Sequence, residues 1–255
     1  MFVNSAKKII PKSFFRFLQP AYHYVLVLLG ALIYWFPSRK IFVVGVTGTK
    51  GKTSVTELIN AILTEAGFKT ALTNTLRFKI NETVFKNTLK MTMPGRFFIQ
   101  KFIRRAVKEN CDYFIMEVSS EGVSQYRHKF INFATAIFTN LAPEHIESHG
   151  GFLSYKKAKL KFFESVKKTH IINLDNEYAN DFLNVPASEK IRYTIYGRVG
   201  NEKNKILKCE NFKLSGRGID FEIEGEKMRS NLLGEFNLQN ILAAVAFSRF
   251  QNISY

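Results

Sequence analysis

Residues 45–54 read Gly-Val-Thr-Gly-Thr-Lys-Gly-Lys-Thr-Ser, directly after the apolar run Ile41-Phe-Val-Val44. A strand, a glycine-rich turn and a helix start in that order form a cradle for phosphate. Gly48 and Gly51 let the backbone turn tightly, so successive N–H groups can point at phosphate oxygens, and the helix N-terminus adds a favourable dipole. Lys52 is placed to reach the β- and γ-phosphates and Thr53 to ligate Mg²⁺. The cradle is expected to span Gly48, Thr49, Lys50, Gly51, Lys52, Thr53 and Ser54. In the strict G-x-x-x-x-G-K-[ST] spacing the first glycine would fall at Val46; the nearest is Gly45, one residue early. The expected ligand is ATP or a close relative.

Two further segments carry polar residues where an apolar strand should end. Tyr113-Phe-Ile-Met-Glu-Val118 delivers Glu117 and then Ser119 and Ser120. A carboxylate at the tip of such a strand costs desolvation energy unless a cation or donor satisfies it, and Mg²⁺ is the natural cation beside a triphosphate. Ala134–Phe138 runs into Thr139 and Asn140, then a loop with Glu144, His145, Glu147 and His149. Two histidines and two carboxylates in one short loop point to metal or phosphate work.

The elements that position these groups alternate. Strands are expected at 41–46, 69–73, 113–118, 134–138 and 170–174, with a hairpin over 76–85 turning at Asn81-Glu82. Helices are expected at 54–66, 96–109, 152–166 and 238–250, and residues 206–233 read as β-rich. Alternation of this kind implies an α/β fold: a mostly parallel sheet with helices on both faces and ligands beyond the carboxyl ends of the strands.

The chain has 255 residues, enough for one large α/β domain or a domain with a short appendage; its 46% hydrophobic content, with 25 Phe, supplies an ample core. The net charge of +16 could serve anionic substrates, acidic lipid or nucleic acid. Lysines are scattered, however, and no basic stripe interleaves with aromatics, which argues against nucleic acid. Cys111 and Cys209 form no C-x-x-C pair and read as reduced thiols in a cytosolic setting. Residues 1–40 stand apart from the rest (41–255). Lys7, Lys8, Lys12 and Arg16 precede an apolar run over 21–36 that ends at Pro37. The run is shorter than the roughly 20 residues a spanning helix needs, and no cleavage site follows it. It is expected to form either an interfacial helix at the inner membrane face, which its Tyr, Trp and flanking basic residues suit, or a helix packed on the domain or a partner.

The segments GTKGKTS, MEVSSEGVSQYR, FTNLAPEHIESHGGFLSYKKAKLKFF, IINLDNEYA and GEFNLQNILAAVA, in that order over residues 41–250, together resemble the central ATPase domain of the Mur ligases. Within that family they look most like the UDP-N-acetylmuramoyl-tripeptide synthetase branch, which adds the third residue of the peptidoglycan stem peptide. The resemblance implies roles. Lys52 matches the phosphate-binding lysine, Thr53 and Glu117 the ligands of one Mg²⁺, and His145 a ligand of a second. Lys159 matches the lysine that the family carbamylates with CO₂, which turns a cation into an anionic oxygen ligand. Asn237 and Asn240 match positions near the nucleotide base, with Asp175 and Asn176 also nucleotide-proximal. Thr92, Ser119, Gln125 and Arg127 match contacts to the UDP-sugar peptide.

Where the synthetases usually show His after the paired serines this chain has Glu121; where they show Thr-Thr-Pro it has Thr92-Met93-Pro94; and Glu144 and Glu147 replace aspartates of the metal loop. These departures bear on the substrate more than on the ATP chemistry. The resemblance implies ATP-dependent amide ligation through an acyl phosphate, in the cytoplasm, with the basic-apolar head standing where the family has its UDP-gripping N-terminal domain and the sequence stopping at Tyr255, where the C-terminal domain would begin. On that basis the chain alone is expected to bind Mg-ATP but ligate little. The alternatives are a poly-γ-glutamate or folylpolyglutamate synthetase, and a membrane-associated ATP-binding subunit that ligates nothing alone.

Overall fold

The computed structural model describes residues 12–144, 150–197 and 206–253. Its centre is β1 (Phe42–Thr47), whose residues Val43–Thr47 are all buried. Fully apolar strands of this kind belong inside a sheet covered on both faces. β1 pairs in parallel with β5 (Tyr113–Glu117) on one side and β6 (Phe133–Phe138) on the other. β2 (Thr70–Thr73) adds outside β5, and β3 (Arg77–Ile80) with β4 (Thr83–Lys86) close that edge as an antiparallel hairpin. Beyond β6 lie β7 (Thr169–Asn173), β8 (Glu189–Thr194) and β9 (Ile206–Ser215), all parallel, then β10 (Gly218–Ile223) and β11 (Glu226–Ser230), antiparallel. The order in this eleven-stranded sheet is β11-β10-β9-β8-β7-β6-β1-β5-β2-β3-β4.

Strand alternation divides the core in two. Val43, Phe114, Met116, Ala136 and Phe138 face one cluster, covered by α3 (Arg96–Lys108), α5 (Phe152–Ser165) and the short α6 (Ala179–Leu183). Val44, Val46, Ile115 and Ile137 face the other, under α2 (Lys52–Glu65) and α7 (Glu235–Phe250). Gly45 points into the first cluster: a Cβ there would meet Phe162 at 2.5 Å and Phe133 at 2.9 Å. It is a packing residue inside β1 rather than a turn residue, so the strict spacing of the phosphate motif does not apply to it.

The hairpin turns at Asn81, as expected, with φ 48°. The sequence reading missed β8, which lacks a clean apolar run, and the five-residue helices α4 (Ser120–Ser124) and α6, too short to display a period. α2 begins at Lys52 rather than Ser54, and α7 at Glu235 rather than Leu238, because glycines at 51 and 234 start both helices. Cys111 and Cys209 are both free and buried. The head forms α1 (Lys12–Ile33). Val27 and Ala31 are buried, and Gly30 lies over the start of α3. Among the described residues, no helix is long and apolar enough to cross a membrane.

Candidate functional site

The loop leaving β1 lies where chain connections diverge to opposite sides of that strand, the position at which open α/β sheets bind ligands. Residues 48–51 form it, and their geometry is locked from three sides. A Cβ on Gly48 would sit 1.9 Å from Thr139 Oγ1, and one on Gly51, whose φ is +80°, would sit 2.2 Å from Asn240 Oδ1. The Thr49 amide donates to Asn140 O (2.9 Å) and the Lys50 amide to Asn140 Oδ1 (2.8 Å). The Thr139 hydroxyl and the Asn140 side-chain Nδ2 both donate to Lys50 O. Thr49 Oγ1 lies 3.0 Å from the Tyr155 hydroxyl and accepts from the Ala142 amide. The end of β6 thus builds one wall of the loop and α5 another. α2 follows with no acidic residue in its first turn. The N–H groups of that turn have no partners within the helix and make a ready anion site.

Two lysines converge on one atom of this loop. Lys52 Nζ donates to Gly48 O (3.1 Å) and Thr49 O (2.8 Å), while Lys159 Nζ donates to the same Gly48 O at 2.7 Å. Lys159 is only 1% exposed, although it sits on a helix rich in lysine. Burial, then the charge on Lys52, holds its ammonium pKa well below the ordinary value. Burial also lowers Lys52, opposed by Glu117 and then Glu144.

Glu117 is fully buried and sits in register with Val46, one residue before the end of β1. Its Oε2 accepts from the Thr75 hydroxyl (2.6 Å) and amide (3.2 Å), while Oε1 is buried without a partner. A carboxylate oxygen left bare beside a phosphate loop fits a Mg²⁺ ligand, since an unpaired buried charge is otherwise costly. Thr53, the second residue of α2, stands at the same loop. His145, Glu147 and His149 lie outside the described residues. Glu144, just before them, pairs with exposed Lys50 at 2.7 Å.

The four residues matched to the sugar peptide fall in three local sets of hydrogen bonds. Thr92 Oγ1 lies 3.0 Å from Thr75 Oγ1, so Thr75 joins Thr92 to Glu117. Arg127, 8% exposed, donates to Met93 O and to Gln125 Oε1 (2.7 Å), and its Nε is buried without a partner. Burial lowers its pKa. Glu121 accepts from Gln125 Nε2 at 3.0 Å. Ser119 caps α4, its hydroxyl accepting from the Gly122 amide. A groove of about 540 Å³ between α4 and α5 adjoins Gln125, with Lys157 and Lys161 on its far wall.

Asn240 is buried against the phosphate loop and donates to Asn237 Oδ1, which places both at the N-terminal turns of α7 beside Gly51. Asp175 and Asn176 stand at the carboxyl end of β7, where Asp175 accepts from the Thr194 hydroxyl and the Ile195 amide and Asn176 donates to Leu141 O. The sequence reading missed Thr75, although a threonine following β2 at the carboxyl edge was visible. It also missed Tyr196, whose hydroxyl donates to Glu235 at the start of α7.

The match to known proteins agrees with this layout. Residues 46–248 fit the family model for the Mur ligase middle domain. The chain belongs to the Mur ligase family. Among its Mur ligase relatives, the UDP-N-acetylmuramoyl-L-alanyl-D-glutamate–2,6-diaminopimelate ligase of Clostridium botulinum is 33% identical over 232 residues, covering 89% of this chain and 46% of that protein. The enzyme of the same name from Syntrophomonas wolfei is 34% identical over 236 residues, covering 89% and 47%. A solved diaminopimelate-adding Mur ligase superposes with a TM-score of 0.72 at 24% identity, covering 84% of this chain and 44% of that one. The D-alanyl-D-alanyl-adding ligase of Acinetobacter baumannii gives 0.67 at 18% identity, covering 91% and 47%. The chain spans about half the length of the Mur ligases it matches. The two solved structures speak for the fold alone, and both share the mixed α/β layout.

Proposed function

We propose that this chain is the ATP-handling part of a ligase that joins an amino acid to a UDP-N-acetylmuramoyl peptide in peptidoglycan synthesis. The observation that carries this reading is the convergence of Lys52 and Lys159 on Gly48 O beside the bare Glu117 oxygen. A structural lysine gains nothing from full burial next to another cation. A lysine kept neutral there can attack CO₂: its nitrogen forms the new bond to carbon, one proton leaves to solvent, and a carbamate anion results. The loop N–H groups and Lys52 receive the phosphates, and Asn237 and Asn240 lie toward the base. When bound, Mg²⁺ would neutralise phosphate charge, held by Thr53 and Glu117, with His145 and the Lys159 carbamate serving a second ion.

Thr92, Ser119, Gln125 and Arg127 receive the sugar peptide, and the unpartnered Arg127 Nε suits one of its anionic groups. The peptide carboxylate attacks the γ-phosphorus and ADP departs, leaving an acyl phosphate. The amino-acid amine then displaces inorganic phosphate and releases a proton. Positioning and charge neutralisation carry most of the rate in such transfers. The setting is cytoplasmic, where ATP and the UDP-linked peptide are available. The amino acid to test first is 2,6-diaminopimelate, the one in the names of the relatives above.

The test measures Mg-dependent binding of a fluorescent ATP analogue, and ADP release with and without UDP-N-acetylmuramoyl-dipeptide. Binding weakened roughly a hundredfold in Lys52→Ala and ADP release stimulated by the dipeptide are expected. Nucleotide affinity unchanged in Lys52→Ala would overturn the assignment of the loop. Stimulation by a folate or a polyglutamate instead of the dipeptide would redirect the substrate.

A further inference from the structure

α1 has two apolar faces, and the fold covers only one. On the inner side α1 packs on the start of α3: a Cβ built on Gly30 would lie in ordinary contact, 3.7 Å from Arg96 O, Gln100 Cγ and Phe97 Cα. Tyr24 packs edge-on against Tyr126 and Phe130, with ring centroids 6.1 and 5.3 Å away. On the outer side Leu18, Tyr22, Val25, Leu29, Leu32 and Ile33 recur at helical spacing, each between 42% and 59% exposed, and Trp35 continues the stripe at 80%. No charged residue occurs from 17 to 38. A continuous exposed stripe of this kind marks an interaction surface.

The charges that flank it in the sequence select the occupant. Lys7, Lys8, Lys12 and Arg16 precede the stripe and Arg39 and Lys40 follow it. The neighbouring α3 exposes Lys101, Arg105 and Lys108 and contains no carboxylate. α1 contains none either. A second copy of the chain would bring two such basic, acid-free regions together within a molecule of net charge +16, which opposes self-association through this face. An anionic bilayer offers what the surface lacks, negative headgroups around an apolar interior. α1 is unsuited to crossing that bilayer, and its Tyr and Trp rings suit headgroup depth.

We propose that the outer face of α1 docks on an anionic lipid bilayer, lying in its surface plane. Because α1 also packs on the segment that carries Tyr126 and Phe130, docking would hold Gln125 and Arg127 close to the membrane. The surface assignment itself depends on none of the ligase chemistry.

Trp35 is the single tryptophan of the chain, so its fluorescence reports the docking directly. The experiment sediments the full chain with vesicles of phosphatidylcholine alone or mixed with phosphatidylglycerol. Binding roughly tenfold stronger to the anionic vesicles is expected, with a blue shift of Trp35 and weakening as salt is raised. A Leu29→Glu/Leu32→Glu variant should lose that binding while keeping its thermal midpoint and its affinity for the ATP analogue. Absence of binding to anionic vesicles would overturn the proposal, as would undiminished binding by the double variant. A wild-type dimer that the double variant dissolves would assign the face to a second copy instead.

Discussion

The phosphate loop and the amino-terminal helix are both bordered by basic residues, yet the fold treats their charges in opposite ways. At the loop, Lys159 is drawn inside until it is 1% exposed and shares a carbonyl with Lys52. Around α1, Arg39 and Lys40 stay in water and the apolar side chains are the exposed ones. Burying a lysine beside another cation and without a carboxylate partner costs stability and favours its neutral form, a cost that the proposed carbamate chemistry accounts for. Exposing an apolar stripe costs solubility, which is tolerated where the stripe meets a surface. Chemistry and docking can be separated by mutation for that reason.

The largest effect should come from the loop. Gly51→Ala forces a Cβ to within 2.2 Å of Asn240 Oδ1 at a left-handed φ. It should displace the start of α2 and weaken binding of the fluorescent ATP analogue at least as much as Lys52→Ala. That variant loses charge-assisted bonds worth about 3 kcal/mol, roughly a hundredfold in affinity. Vesicle binding should be unchanged in both.

Lys159→Met sharpens the same contrast. The CO₂ adduct expected in the mass of the intact, gently ionised protein should be absent from this variant. Because the removed amine is buried beside a cation and without an acid, the unfolding free energy from urea titration should hold or rise, by up to ~1 kcal/mol. A large loss of stability would mean that Lys159 is a structural residue.

Acid should weaken the whole fold through its buried imidazoles. His128 is pushed down to about 3, mainly by burial, and burial also lowers His170. Unfolded imidazoles take up a proton near pH 6.5. Between that value and the lowered folded pKa the unfolded state therefore binds more protons, and stability falls as pH falls, by up to about 1.4 kcal/mol per pH unit for each histidine. His128→Gln should flatten the slope in urea titrations run at decreasing pH.

The smallest effect belongs to the exposed helix. Leu29→Ser should alter stability by no more than about 0.5 kcal/mol, since its side chain is 43% exposed. Its effect should appear only in vesicle sedimentation.

Much of the site was legible in the residues because the groups that carry it are local. Gly48, Gly51, Lys52 and Thr53 occupy one turn, and their spacing alone implies a strand, a loop and a helix start. Glu117 stood out because a carboxylate in an apolar run is chemically conspicuous. The sheet was legible through alternation, and so was the hairpin at Asn81. Lys159 illustrates the limit. Its burial depends on β1 and α5 meeting at Gly48 O, a contact between residues 111 positions apart in sequence.

The sequence by itself determined the phosphate loop, the alternation that makes an α/β sheet, and the apolar head with its basic borders. These follow from short-range backbone sterics and from hydrophobic period, which neighbouring residues dictate. Only the tertiary structure decided that Lys52 and Lys159 share one carbonyl, that Thr75 joins Glu117 to Thr92, and that one face of α1 is covered while the other is not. Each of these depends on chain segments remote in sequence being brought together by the burial of the two core clusters, a non-local free energy that no window of residues contains.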